Sequence, residues 1–141
     1  MQIINPVVAP DGKRLAFRQL QDEGNIQSLM VLTIGGKQAD EILRTKSPAQ
    51  FGGLLWTPDG RSLIFTQNRD AKRQVPSELW IIGSQEKIPN KIGVLDKFTG
   101  DLRLHPNRQK IVCTYSDKRQ EVWVLRNFLP EERAKSKEGQ K

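Results

Sequence analysis

The chain has 141 residues, 36% of them hydrophobic and 28% charged, and carries a net charge of +7. That length suits one domain with a core of its own. No apolar run approaches the ~20 residues of a membrane span, and the single cysteine, Cys113, excludes an intrachain disulfide and Cys-x-x-Cys metal motifs.

Taken in chain order, the first stretch, "NPVVAPDGKRLAFRQ", reads as a strand, a tight turn at Pro10-Asp11-Gly12 and a second strand. Proline presets the backbone angle of the first central turn position, aspartate accepts local backbone hydrogen bonds, and glycine supplies a positive φ. A third apolar run, "SLMVLTI", follows, then the polar turn "IGGKQ" and a weaker strand, "DEILRT". The same series begins again at "FGGLLWTPDGRSLIFTQ", where the glycine pair Gly52-Gly53 reads as part of a turn. It continues through "ELWIIGS", "GSQEK" and "NKIGVL". A third series opens with "LRLHPNRQKIVCTYS" and "EVWVLRN" and ends in a polar tail from Pro130 to Lys141, expected to be disordered.

Setting the proline turns in register gives a period of 48 residues, from Pro10 to Pro58 to Pro106. Val8, Trp56 and Leu104 then share one slot, and Leu15, Leu63 and Ile111 a second. Phe17, Phe65 and Cys113 share a third, and Met30, Trp80 and Trp123 align in the next strand. Pro58-Asp59-Gly60 repeats the first turn, whereas Pro106-Asn107 is followed by Arg108 instead of glycine, so the third turn is expected to be looser or of another type. The strands carry apolar residues on consecutive positions, as suits sheets covered on both faces. Each unit is a four-stranded antiparallel meander that cannot cover both faces alone, and radial stacking of such meanders is an all-β propeller. The blades fall at about 3–46, 51–96 and 99–129, within a segment 1–129.

The "APDGKRLAF" and "TPDGRSLIFTQNRD…ELWII" elements resemble the repeats of TolB-like β-propellers, over nearly the whole chain. The resemblance implies a six-bladed ring, of which three blades are half. It also implies a binding scaffold for a protein, peptide or other ligand, and permits a periplasmic setting. Related propellers also serve as gates of prolyl-oligopeptidase-type peptidases, so an accessory domain of a larger enzyme or multidomain protein is the alternative. Three blades fall short of a closed ring, and the third lacks an evident fourth strand. That strand is absent, or comes from "NFL" or from a partner. Either two copies pair head-to-tail into a homodimer, or the chain belongs to a longer propeller.

For chemistry the sequence offers little. His105 stands alone, without a second ligand in register, and Asp101 and Arg103 beside it are read as channel-lining. Asp11 and Asp59 are read as turn residues. No nucleophile elbow, P-loop or zinc-binding helix motif is present. No catalytic residue, cofactor or metal site is expected. The basic residues are scattered over "GKR", "RDAKR", "HPNRQK" and "DKRQ" without interleaved aromatics, so a solvated surface is expected, and nucleic-acid binding through it is the less favoured alternative. No membrane partner is expected either, and "MQIINPVVAPDG" has no basic start or apolar run of a secretory signal, which leaves the compartment open.

Overall fold

The computed structural model describes residues 1–70, 76–95, 99–116 and 120–129; the expected tail, 130–141, lies outside them. The first meander is β1 (Gln2–Val8), β2 (Arg14–Gln21), β3 (Ile26–Thr33) and β4 (Ala39–Lys46). The second is β5 (Gln50–Trp56), β6 (Ser62–Asn68), β7 (Ser77–Gly83) and β8 (Asn90–Leu95). The third is β9 (Thr99–Leu104), β10 (Lys110–Ser116) and β11 (Gln120–Arg126). Each forms its own antiparallel sheet in sequence order. The first strands β1, β5 and β9 neighbour one another from sheet to sheet, so they lie nearest the common axis.

The strand registers repeat the slots of the sequence alignment. Phe17 pairs with Met30, Phe65 with Trp80 and Cys113 with Trp123. Val8 pairs with Leu15, Trp56 with Leu63 and Leu104 with Ile111. Because side chains alternate across a strand, one set of slots faces the preceding blade and the other faces the following blade. In blade 2, Phe51, Leu54, Trp56, Leu63 and Phe65 pack with Ala16, Leu29 and Val31 of blade 1. The intervening Leu55, Ile64 and Leu79 pack with Leu102, Ile111 and Cys113 of blade 3. Consecutive apolar residues in "LLW" and "LIF" therefore serve two different interfaces. Phe51 and Phe65 meet edge to face, with ring centroids 5.5 Å apart. Leu63, Ile64 and Phe65 are each at most 1% exposed, and burial of such a side chain contributes about 1.5–3 kcal/mol.

Two expectations are corrected, and one of the three sources named for the fourth strand of blade 3 is excluded. The third turn is of the same kind as the other two. In all three, the residue before the proline accepts a hydrogen bond from the residue three further on, with Gly12 to Ala9 at 2.9 Å, Gly60 to Thr57 at 2.9 Å and Arg108 to His105 at 2.8 Å. Arg108 takes the positive φ of the missing glycine, 61° against 70° at Gly12 and 69° at Gly60. Side-chain acceptors at Asp11, Asp59 and Asn107 hold the turn tightly enough to impose that conformation.

The glycine pair Gly52-Gly53 lies inside β5, not in a turn. There, between the pairs Phe51–Gln67 and Leu54–Phe65, one extra residue forms a β-bulge. β1 and β9 carry the same irregularity, between Ile4 and Val7 and opposite Cys113–Tyr115. Finally, "NFL" supplies no fourth strand. Among the described residues blade 3 has three strands. A positive φ of 55° at Asn127 turns the chain so that Phe128, 7% exposed, packs into the core between blades 2 and 3. Its ring gains more from that apolar cleft than from an exposed edge position.

Candidate binding face along the innermost strands

The bulges bring polar groups to the strands nearest the axis. An extra residue leaves an amide without a ladder partner, and a threonine on the next strand accepts it. Gly53 N donates to Thr66 Oγ1 at 2.8 Å, and Asp101 N to Thr114 Oγ1 at 3.3 Å. Thr66 and Thr114 share a repeat slot, which in blade 1 is filled by Arg18. Arg18 Nη2 donates to Asn5 Oδ1 at 3.0 Å, while Nη1 donates to the carbonyl of Phe51 in blade 2. Burial lowers the Arg18 guanidinium below its ordinary value, and the charge of Asp101 opposes that shift. Residues of blades 1, 2 and 3 thus share one electrostatic environment near the axis, with a cation half-buried in it.

Of the three residues read as channel-lining, Asp101 and Arg103 lie on β9 and are exposed. Arg103 pairs with Val112. His105 begins the turn, exposed, with Nδ1 accepting from Asn107 N at 3.1 Å. His105 is four steps along the strand direction from Asp101, about 13 Å at the usual rise, so that carboxylate cannot orient it as a base. Among the described residues, no group of three or more His, Cys, Asp or Glu side chains could hold a metal ion.

The turn residues line the opposite end of the strands. Asp11 Oδ1 accepts from Lys13 N at 2.9 Å, Asp59 Oδ1 from Arg61 N at 3.0 Å and Asn107 Oδ1 from Gln109 N at 2.9 Å. Thr57 Oγ1 also donates to Asp59 Oδ1 at 2.6 Å and accepts from Ser62 N at 3.1 Å. Pro10, Pro58 and Pro106 stand before these acceptors in the same relation.

Nothing in the residue pattern marks Arg14, which lies between blades 1 and 2 rather than on a solvated surface. Its guanidinium stacks over the Trp56 ring at 4.7 Å. It donates to Ser84 Oγ at 3.0 Å and to the Gly60 carbonyl, and Asp11 lies at 3.6 Å. Trp56 Nε1 in turn donates to the Val7 carbonyl at 3.0 Å. Further out, Glu78 is clasped by Arg69 at 2.9 Å and Lys91 at 2.6 Å, with only 9% of its side chain exposed. The Arg69 hydrogen bond, then that of Lys91 and the charge of both, hold its carboxyl below the usual carboxylate range, against the opposing effect of burial. Burial pushes the Cys113 thiol up.

Stacked antiparallel meanders around a common axis, with their first strands innermost, define a β-propeller segment. No protein-family model matches the chain. Among solved structures it is similar to a putative TolB from Agrobacterium tumefaciens, at 15% identity and a TM-score of 0.72, covering 91% of this chain and 47% of that one. It is also similar to TolB from Acinetobacter baumannii, at 17% identity and a TM-score of 0.67, covering 89% and 30%. A third is the β-propeller domain of the Trilobed protease from Pyrococcus furiosus, at 20% identity and a TM-score of 0.57, covering 89% and 40%. The fold is a TolB-like β-propeller fold, and the chain spans less than half the length of these structures. Among the described residues, no helix is long and apolar enough to cross a membrane.

Proposed function

We propose that the chain is a non-enzymatic propeller scaffold that holds a protein or peptide against its innermost strands. The observation that carries this reading is the division of labour among its polar side chains. Asp11, Asp59 and Asn107 are occupied by turns, and Arg14 by the cleft between blades. Asp101, by contrast, is exposed on the strand nearest the axis, and its charge acts on the half-buried Arg18. An exposed carboxylate beside a half-buried guanidinium suits recognition of a polar chain, with affinity from backbone edges and selectivity from side chains. Panning a random peptide library on the chain tests this: enriched peptides should lose binding to Asp101→Ala and Asp101→Asn. Binders indifferent to both substitutions would overturn the reading, as would labelling of the chain by a fluorophosphonate probe of serine hydrolases.

A second reading is favoured by the partial coverage of the matched structures and by the protease propeller among them. In it, the chain contributes blades to the accessory propeller of a larger protein. A flanking α/β-hydrolase domain in the complete reading frame would favour this second reading over the first.

A further inference from the structure

We infer that the two ends of the arc are closed by a second copy of the chain, blade 3 of each copy stacking on blade 1 of the other. This rests on the reading of the chain as a propeller segment and names its first partner. The contact between blades is built twice within the chain. The forward face of one blade, carried by Ala16 and Val31 in blade 1 and by Ile64 in blade 2, meets the rear face of the next. That rear face is carried by Trp56, Leu63 and Phe65 in blade 2, and by Ile111 and Cys113 in blade 3. By the same registers, Val8, Leu15 and Phe17 lie on the rear face of blade 1, where Phe17 is already only 6% exposed and Val8 and Leu15 are more open, and Val112 and Val124 belong to the forward face of blade 3.

These free ends are the two halves of one interface. Val8 is 58% exposed where Trp56, in its slot, is 4%. Val124 is 49% exposed where Val31, in its slot, is 7%. The contact is heterologous, and such contacts form closed rings only when the rotation returns on itself. Closed propellers have about four to eight blades; three fall short, three copies would overshoot, and two copies give six.

A polar contact fits the same arrangement. Arg14 at the forward edge of blade 1 reaches the Gly60 carbonyl and the Trp56 ring of blade 2. Lys110 holds the Arg14 slot in blade 3, and the corresponding groups on a second copy are the Gly12 carbonyl and Val8. Val8 has no ring for a guanidinium to stack on, and an ammonium needs only the carbonyl.

The test joins Val8→Cys and Lys110→Cys in one chain, treated with a short bis-maleimide. Cys113, 3% exposed, stays out of the reaction. The double variant should run as two linked chains and each single variant as one. The parent should scatter light at about 32 kDa, twice the 16.1 kDa of one chain, at tens of micromolar. Val8→Asp should halve that mass while the far-ultraviolet β spectrum is retained. A parent at one-chain mass overturns the inference, as do single variants that link as well as the double, which would mean pairing of like ends. A one-chain mass with an intact β spectrum and peptide binding leaves the scaffold reading standing, so the two failures are distinguishable.

Discussion

Replacing Trp56 tests the joint between blades 1 and 2 at its most loaded point. The side chain is 4% exposed, belongs to the core shared by both blades, donates to the Val7 carbonyl at 3.0 Å and carries Arg14 over its ring at 4.7 Å. Truncation of a buried tryptophan to alanine costs about 3–5 kcal/mol through lost transfer and the cavity left behind. The stacked guanidinium adds about 0.5–2 kcal/mol. Trp56→Ala should therefore lose about 4–6 kcal/mol, much of the roughly 5–15 kcal/mol of an ordinary domain. Trp56→Phe keeps most of the apolar volume and loses the donor, for about 1–2 kcal/mol. Urea unfolding followed by circular dichroism reads both. With a slope of about 2 kcal/mol per molar urea, the alanine midpoint should fall by about 2–3 M. Pairing Trp56→Leu with Arg14→Met in a double-mutant cycle isolates the stacking, because leucine has no ring for the guanidinium to cover. A loss below about 1 kcal/mol for Trp56→Ala would refute the claim that this ring joins the two blades.

The remaining predictions concern the turns, the ion cluster and the thiol. Arg108→Gly should stabilise the third turn by about 0.5–1 kcal/mol by relieving a non-glycine positive φ, whereas Gly60→Ala should destabilise the second by about 1 kcal/mol or more; thermal unfolding compares them. Glu78 has its carboxyl held below the usual range, so its contribution is present above the ordinary glutamate value of about 4.3 and is lost as pH falls through the lower folded value. The stability gap between the parent and Glu78→Gln, read from urea midpoints across pH, should be full at neutral pH and close in acid; a gap unchanged in acid would contradict the clasp. Cys113 is 3% exposed with its thiol pushed up by burial, so iodoacetamide should modify it only as fast as the chain unfolds, as urea titration of the labelling rate would show.

The blade pattern was legible because its signals are local. A proline-led turn and the alternation around it are set within a dozen residues, so a period of 48 residues placed the slots that later proved to pair across strands. The stacking was legible too, since apolar residues on consecutive positions require cover on both faces. The polar joints were not. Arg14 bonds a carbonyl 46 residues away and Arg18 one 33 residues away, and a backbone carbonyl leaves no mark in a sequence. Gly52-Gly53 was misread because a bulge and a turn both accept glycine. The geometry of the third turn is hidden because backbone amides donating to the Asn107 and His105 side chains hold a conformation that glycine usually signals. "NFL" remains one of three sources for the fourth strand at the level of sequence because nothing near Phe128 shows the cleft it fills.

Amide hydrogen exchange at several protein concentrations tests most directly the claim that a sandwiched central blade is flanked by two blades with free interface halves. The strand β6, covered on both faces within one chain, should exchange only through global unfolding and equally slowly at every concentration. The strands β2, β3 and β10 should match it when the protein is concentrated and lose protection on dilution, as the second copy leaves. Protection of β6 no greater than that of the outermost strand β8 would contradict the account, and so would end blades indifferent to dilution.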